Sequence, residues 1–127
     1  MKIGIAGVHY GHIGGMFRSA ISAPNGTVIG IYEPSDDLFY KYAEEHKLDR
    51  FDDLEELVAS SDVVVEGMRH EEKADLIELC ATHQTHAFLD KPLCRNDSEF
   101  KRIFEAVKRS KIRLTMNFTS RNHPPFI

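Results

Sequence analysis

The chain has 127 residues, with 16 Lys and Arg against 20 Asp and Glu and a formal charge of −4, a length that builds one domain with a real core and not two. Its mixed charges hold no basic block for nucleic acid or an anionic bilayer, and no apolar stretch is long enough to span a membrane. No charged leader with a long apolar segment precedes the first apolar run, so no signal peptide is expected. Cys80 and Cys94 are too few for a disulfide framework and lack metal-ligand spacing, which points to a reduced, cytoplasmic setting. No repeat, low-complexity tract or linker interrupts the sequence.

In chain order, Lys2–Val8 reads as a strand that runs into a glycine-rich turn, Gly7-Val8-His9-Tyr10-Gly11-His12-Ile13-Gly14. Ile13, Met16, Phe17, Ala20 and Ile21 then follow helical spacing with one apolar face. Pro24-Asn25-Gly26 is a turn, and Thr27–Tyr32 a second strand rich in β-branched residues. Ser35 can cap a helix through about His46. A short strand is expected near Arg50-Phe51, and a brief helix at Leu54, Leu57 and Val58. Val63-Val64-Val65, within Asp62–Gly67, is apolar on both faces, as in a parallel sheet. The next helix has Ala74, Ile77 and Ala81 on its face and leads to the strand His86–Leu89. Asn96 with Glu99 resembles a capping box, opening a helix whose expected face is Phe100, Ile103, Phe104 and Val107. Ile112–Phe118 is the last strand. This alternation predicts an α/β domain, a doubly wound parallel sheet of the Rossmann type with right-handed crossovers.

In such a fold the turn after the first strand and the residues after later strands face one crevice, where ligands bind. The pattern Gly-x-Gly-x-x-Gly is not met literally: counted from Gly7, His9 takes the second glycine's place and His12 the third's. Gly11 and Gly14 can take over in a longer loop, with the amides from His9 to Ile13 lining a pyrophosphate. The other reading is a tight strand-to-helix connection that binds nothing. Glu33 favours the first, since it ends the second strand 19 positions after Gly14, where an acid accepts hydrogen bonds from the adenosine ribose. A carboxylate there repels a 2′-phosphate, so NAD is expected over NADP. Lys91 closes the crevice from the other side. A lysine at a buried edge, after the strand Ala87-Phe88-Leu89, can give a proton or polarise a carbonyl oxygen.

Other residues keep two readings. Tyr10 packs beside the pyrophosphate or simply covers the turn, and Asp90 orients Lys91 or caps the next turn. Arg121 grips an anionic substrate group or is an exposed charge. His9, His12 and His70 are joined by no Cys or carboxylate at ligand spacing, so no metal is expected, and His9 reads as lining the cofactor cleft.

Lys2-Ile3-Gly4-Ile5-Ala6-Gly7, Glu33 and above all Leu89-Asp90-Lys91-Pro92 resemble the glucose-fructose oxidoreductase / inositol dehydrogenase (Gfo/Idh/MocA) family. That family usually carries Glu-Lys-Pro at the triplet. His86 matches the Gly-Lys-His-Val stretch before it, and Asn117-Phe118 with Arg121 and Pro124 the strand and loop after it. The resemblance implies that residues 1–127 are an N-terminal Rossmann domain binding a nicotinamide cofactor. Lys91 would then lie near the nicotinamide and the reacting oxygen, between Asp90 and Pro92, with the Lys91-Pro92 bond a candidate for cis. It further implies a second α+β domain outside this chain, supplying the substrate pocket, commonly an Asp/His proton relay, and the dimer interface. Where the family often has Thr-Pro-Asn and then a histidine, this chain has Met68-Arg69-His70 and then Lys73; Arg69 or His70 substitutes for those contacts, or the loop is solvated. The function expected is hydride transfer between NAD and a hydroxyl carbon of a sugar, cyclitol or related polyol. The alternative is a non-catalytic nucleotide-binding module acting through a partner or as a sensor.

Overall fold

The computed structural model describes residues 1–118, so Arg121 and Pro124 lie outside the described residues. Five strands, β1 (Lys2–Ala6), β2 (Thr27–Tyr32), β3 (Val63–Glu66), β4 (His86–Asp90) and β5 (Leu114–Asn117), form one parallel sheet in the order β2-β1-β3-β4-β5. Five α-helices connect them: α1 (Ile13–Ile21), α2 (Asp36–Ala43), α3 (Leu54–Ala59), α4 (Lys73–His83) and α5 (Asp97–Ser110). A 3₁₀ turn, His70–Glu72, precedes α4. The expected strand at Arg50-Phe51 is a single bridge, Arg50 to Ile31.

Alternation of side chains along each strand gives the sheet two buried faces. Ile3, Ile5, Ile31 and Val65 pack with Ile13, Met16 and Phe17 of α1 and Phe39 of α2. Ala6, Val64, Ala87 and Leu89 pack with Leu57 of α3, Leu76, Ile77 and Cys80 of α4, and Ile103 and Ala106 of α5. The chain leaves β1 toward β2 and returns to β3 on β1's other side. The connections above β1 and β3 therefore diverge and leave a crevice at the carboxyl ends of these strands. Among the described residues no helix is long and apolar enough to cross a membrane.

The helix ends follow the sequence chemistry. Ser35 Oγ accepts from Leu38 N, and Asn96 Oδ1 from Glu99 N. The return bond of Glu99 goes one residue earlier than a capping box requires, to Arg95 N. The expected face of α5 is displaced by about one position: the inward line is Glu99, Ile103, Ala106 and Ser110, while Phe100 and Phe104 are 48% and 53% exposed, their rings stacked at 6.1 Å. Polar residues fit the inward line because they are satisfied locally: Ser110 Oγ donates to Ala106 O, and Glu99 accepts from Arg95. Arg102 locks the rotation by reaching Asp75 and Glu78 of α4.

Gly7 sets the geometry at the crevice. Its φ is +77°, and a Cβ there would lie 2.7 Å from Met68 Cγ and 2.9 Å from Met68 Cα. A Cβ at Gly11 would meet nothing within 4 Å. Gly7→Ala is therefore expected to cost about 1–3 kcal/mol of stability in denaturant unfolding, with Gly11→Val near the parent. A tolerated Gly7→Ala would contradict this account of the turn.

Candidate cofactor site

The turn between β1 and α1 distributes its amides unequally. Val8 N donates to Glu33 Oε2 at 2.9 Å and His9 N to Gly67 O at 2.7 Å. Ile13 N and Gly14 N donate to Tyr10 O and Gly11 O, closing the first turn. The amides of Tyr10, Gly11 and His12 have no partner among the described residues. The N-cap, His12, makes no side-chain cap, and the first turn of α1 holds no acid. Three free donors thus meet the positive end of a nine-residue helix, the arrangement that holds a phosphate. A Cβ at Gly11 or Gly15 would meet nothing within 4 Å, so the turn is open at both positions. His9 and His12, standing where the motif has glycines, are exposed and line the clefts on either side of the turn.

On one side of the turn is a cleft of about 300 Å³, lined among others by Gly7, His9, Glu33, Ser35, Met68 and Arg69. Glu33 is buried, and its two oxygens accept from Val8 N and Ser35 N, at 2.9 and 3.0 Å. A carboxylate has about four acceptor positions, so both oxygens can still take ribose hydroxyls. Arg50, expected only in a short strand, fixes the backbone here. Its guanidinium donates to Glu33 O and Pro34 O, pairs with Asp36 and lies over the Phe39 ring.

On the other side is a cleft of about 200 Å³ lined by Tyr10, Gly11, His12, His70, Asp90 and Lys91. Asp90 caps the bend after β4: Oδ1 accepts from Lys91 N at 3.0 Å, and Oδ2 stands 3.4 Å from His12 Nδ1. The Lys91-Pro92 peptide is cis. The expectation of a lysine at a buried edge needs correction, because Lys91 and Pro92 are exposed: the chain bends out of the sheet directly after Asp90. Tyr10, expected beside a pyrophosphate or covering the turn, has ring partners on either side. It stacks on His70 with centroids 4.4 Å apart, and His9 meets its edge at 4.6 Å. The loop after β3 is thus not simply solvated. His70 is half-buried, with an unpartnered Nδ1.

The fully buried lysine is Lys73, which the sequence shows only as a departure at the family's histidine. Lys73 and Glu66 are each 1% exposed, with Nζ and Oε2 3.2 Å apart. Glu66 also accepts from Met68 N (2.9 Å) and Asp90 N (3.2 Å). Lys73 donates to Asp90 O and to Pro92 O, the latter at 2.6 Å. An acid ending a strand that is apolar on both faces was the available signal for Glu66.

Burial pushes the Glu66 carboxyl up to about 7, against Lys73 and the two amides, which pull it down. The folded chain then binds more protons than the unfolded one between about pH 4.5 and 7. This group's contribution to stability is full below that window and is lost as pH rises through it. Thermal melts across the window are expected to show the parent's advantage over Glu66→Gln shrinking as pH rises; a widening gap would contradict the direction.

Comparison with known proteins places this geometry in a family. Residues 1–118 match the GFO_IDH_MocA oxidoreductases with an NAD-binding Rossmann fold. No curated protein matches the chain. Among solved structures it is similar to the dehydrogenase MviM from Clostridium difficile, at 19% identity and TM-score 0.84, covering 95% of this chain and 40% of that one. It is similar to the UDP-N-acetylglucosamine 3-dehydrogenase GnnA from Acidithiobacillus ferrooxidans, at 20% identity and TM-score 0.83, covering 98% and 40%. A scyllo-inositol dehydrogenase from Lactobacillus casei gives 16% identity and TM-score 0.82, covering 95% and 37%. The chain spans about two-fifths of the length of these structures, and at these identities the likeness is one of fold. The match over residues 1–118 shows that the chain belongs to the Gfo/Idh/MocA family of oxidoreductases, with its NAD-binding Rossmann fold.

Proposed function

We propose that the β1–β3 crevice takes NAD, for hydride transfer at the hydroxyl carbon of a sugar, cyclitol or related polyol. The observation that carries this reading is the row of free amides at Tyr10, Gly11 and His12, set between Glu33 and Lys91 on one crevice. Those amides would hold the pyrophosphate and Glu33 the adenosine ribose, and Asp90, Lys91 and Pro92 would border the nicotinamide end. Bound NAD supplies the hydride acceptor. Lys91 Nζ would hydrogen-bond the substrate oxygen, accepting its proton in oxidation and returning it in reduction. Asp90 keeps the Lys91 backbone in place through Oδ1. The similar dehydrogenases act on inositol or a nucleotide sugar by their names, which supports a polyol class of substrate.

Lys91 is exposed, so this chain forms one wall of the reacting site. The facing wall belongs to a second domain in this reading, and the 127 residues alone are not expected to turn over polyols.

Cofactor choice tests Glu33. Calorimetry is expected to show NAD binding more tightly than NADP by ~10-fold or more, about 1.4 kcal/mol. Glu33→Gln, which keeps the shape and removes the charge, narrows that gap. An unmodified chain that prefers NADP would end the assignment.

Lys91→Met roughly keeps the volume and removes the proton-carrying amine. Where a facing wall completes the site and turnover is measured, kcat is expected to fall ~100- to 1000-fold, the usual cost of one preorganised donor. NAD affinity should change little. An unchanged kcat with a lowered melting temperature would make Lys91 a stabilising residue instead.

A further inference from the structure

Lys91 has a side chain in solvent, yet nearly every backbone polar group around it is held. Asp90 N donates to Glu66 Oε2, and Asp90 O accepts from Lys73 Nζ. Lys91 N donates to Asp90 Oδ1, and Pro92 O accepts from Lys73 Nζ. One buried ammonium therefore grips the carbonyls on both sides of Lys91, and its carboxylate partner takes the amide before it. The same carboxylate accepts from Met68 N, in the loop after β3 that carries His70 into the cleft beside Lys91.

Such a pair is not required for stability in itself. Two charges 1% exposed pay a large desolvation cost, and an apolar pair of similar volume is often as stable. What an apolar pair cannot do is bind two carbonyls and two amides. We infer that the Glu66–Lys73 pair is a positioning device: it fixes the Asp90–Pro92 bend so that Lys91 stands over the nicotinamide end of the cleft. Lys73 touches neither cofactor nor substrate and acts through the backbone of Lys91. This rests on the proposed nucleotide site and adds to it two residues 25 and 18 positions before Lys91 in the sequence that set its place.

Nuclear magnetic resonance on the whole chain separates placement from stability, at about pH 8, above the Glu66 titration. Two probes are compared. ADP-ribose fills the adenosine and pyrophosphate end; NADH adds the nicotinamide. In the parent, NADH is expected to shift the Lys91 amide and side-chain signals, and ADP-ribose is not. Lys73→Met leaves Glu66 buried without its cation, and the melting temperature should fall by more than about 10 °C. Glu66→Gln/Lys73→Met removes both charges, and melting should recover most of that loss. ADP-ribose should bind the double variant as it binds the parent, while the Lys91 response to NADH is lost.

A double variant that regains both stability and the Lys91 response would reduce the pair to a structural one and overturn the inference. So would a double variant that cannot fold, because the pair would then serve the core. If the parent binds both probes but NADH leaves Lys91 unmoved, the positioning role fails and the nucleotide site stands. If the parent binds neither, the nucleotide reading fails and the inference with it.

Discussion

Two buried carboxylates hold the carboxyl end of the sheet together. A parallel sheet releases every strand into a connection at the same edge, and each connection brings backbone amides that need acceptors. Glu33, directly after β2, accepts from Val8 in the turn after β1 and from Ser35 in its own loop. Glu66, the last residue of β3, accepts from Met68 in its own loop and from Asp90 at the end of β4. Each glutamate thus ties its strand's exit to that of a neighbour. With those bonds made, the amides left over lie where the two sets of connections diverge. Those of Tyr10, Gly11 and His12 are among them, above the N-terminus of α1.

The electrostatics of the crevice follow from this division. The chain as a whole is acidic, but the turn offers free donors and a helix's positive end with no acid in its first turn. A dinucleotide carries its charge at the pyrophosphate, so that end suits the middle of the crevice. Glu33 on one flank suits hydroxyls, and Lys91 on the other suits an oxygen that gains or loses a proton. Tyr10 and His70, stacked across the crevice, join the turn after β1 to the loop after β3.

Much of this was legible in the sequence, and its limits have physical causes. β2 was readable to the residue because its β-branched run is bounded by turn signals. The first strand is shorter than its apolar run because Val8 N leaves the ladder for Glu33. The last strand begins at Leu114 rather than Ile112 because Lys111, with φ of +64°, ends α5, and Ile112 is spent on the helix packing. Phe100 and Phe104 looked like core because aromatic residues four apart mark a face; the buried line instead uses small and locally satisfied residues. Lys91 and Glu33 could be found from their places after strands. Lys73 could not, since a lysine next to three acids reads as solvated. Only the fold brings it under the Asp90–Pro92 bend.

The central claim is that free amides at residues 10–12 receive the pyrophosphate of a nicotinamide dinucleotide. A crystal structure of the chain grown with NAD tests it most directly. The account predicts pyrophosphate oxygens within about 3 Å of the Tyr10, Gly11 and His12 amides, and a ribose hydroxyl on Glu33. A pyrophosphate bound elsewhere, with those three amides facing only water, would contradict it.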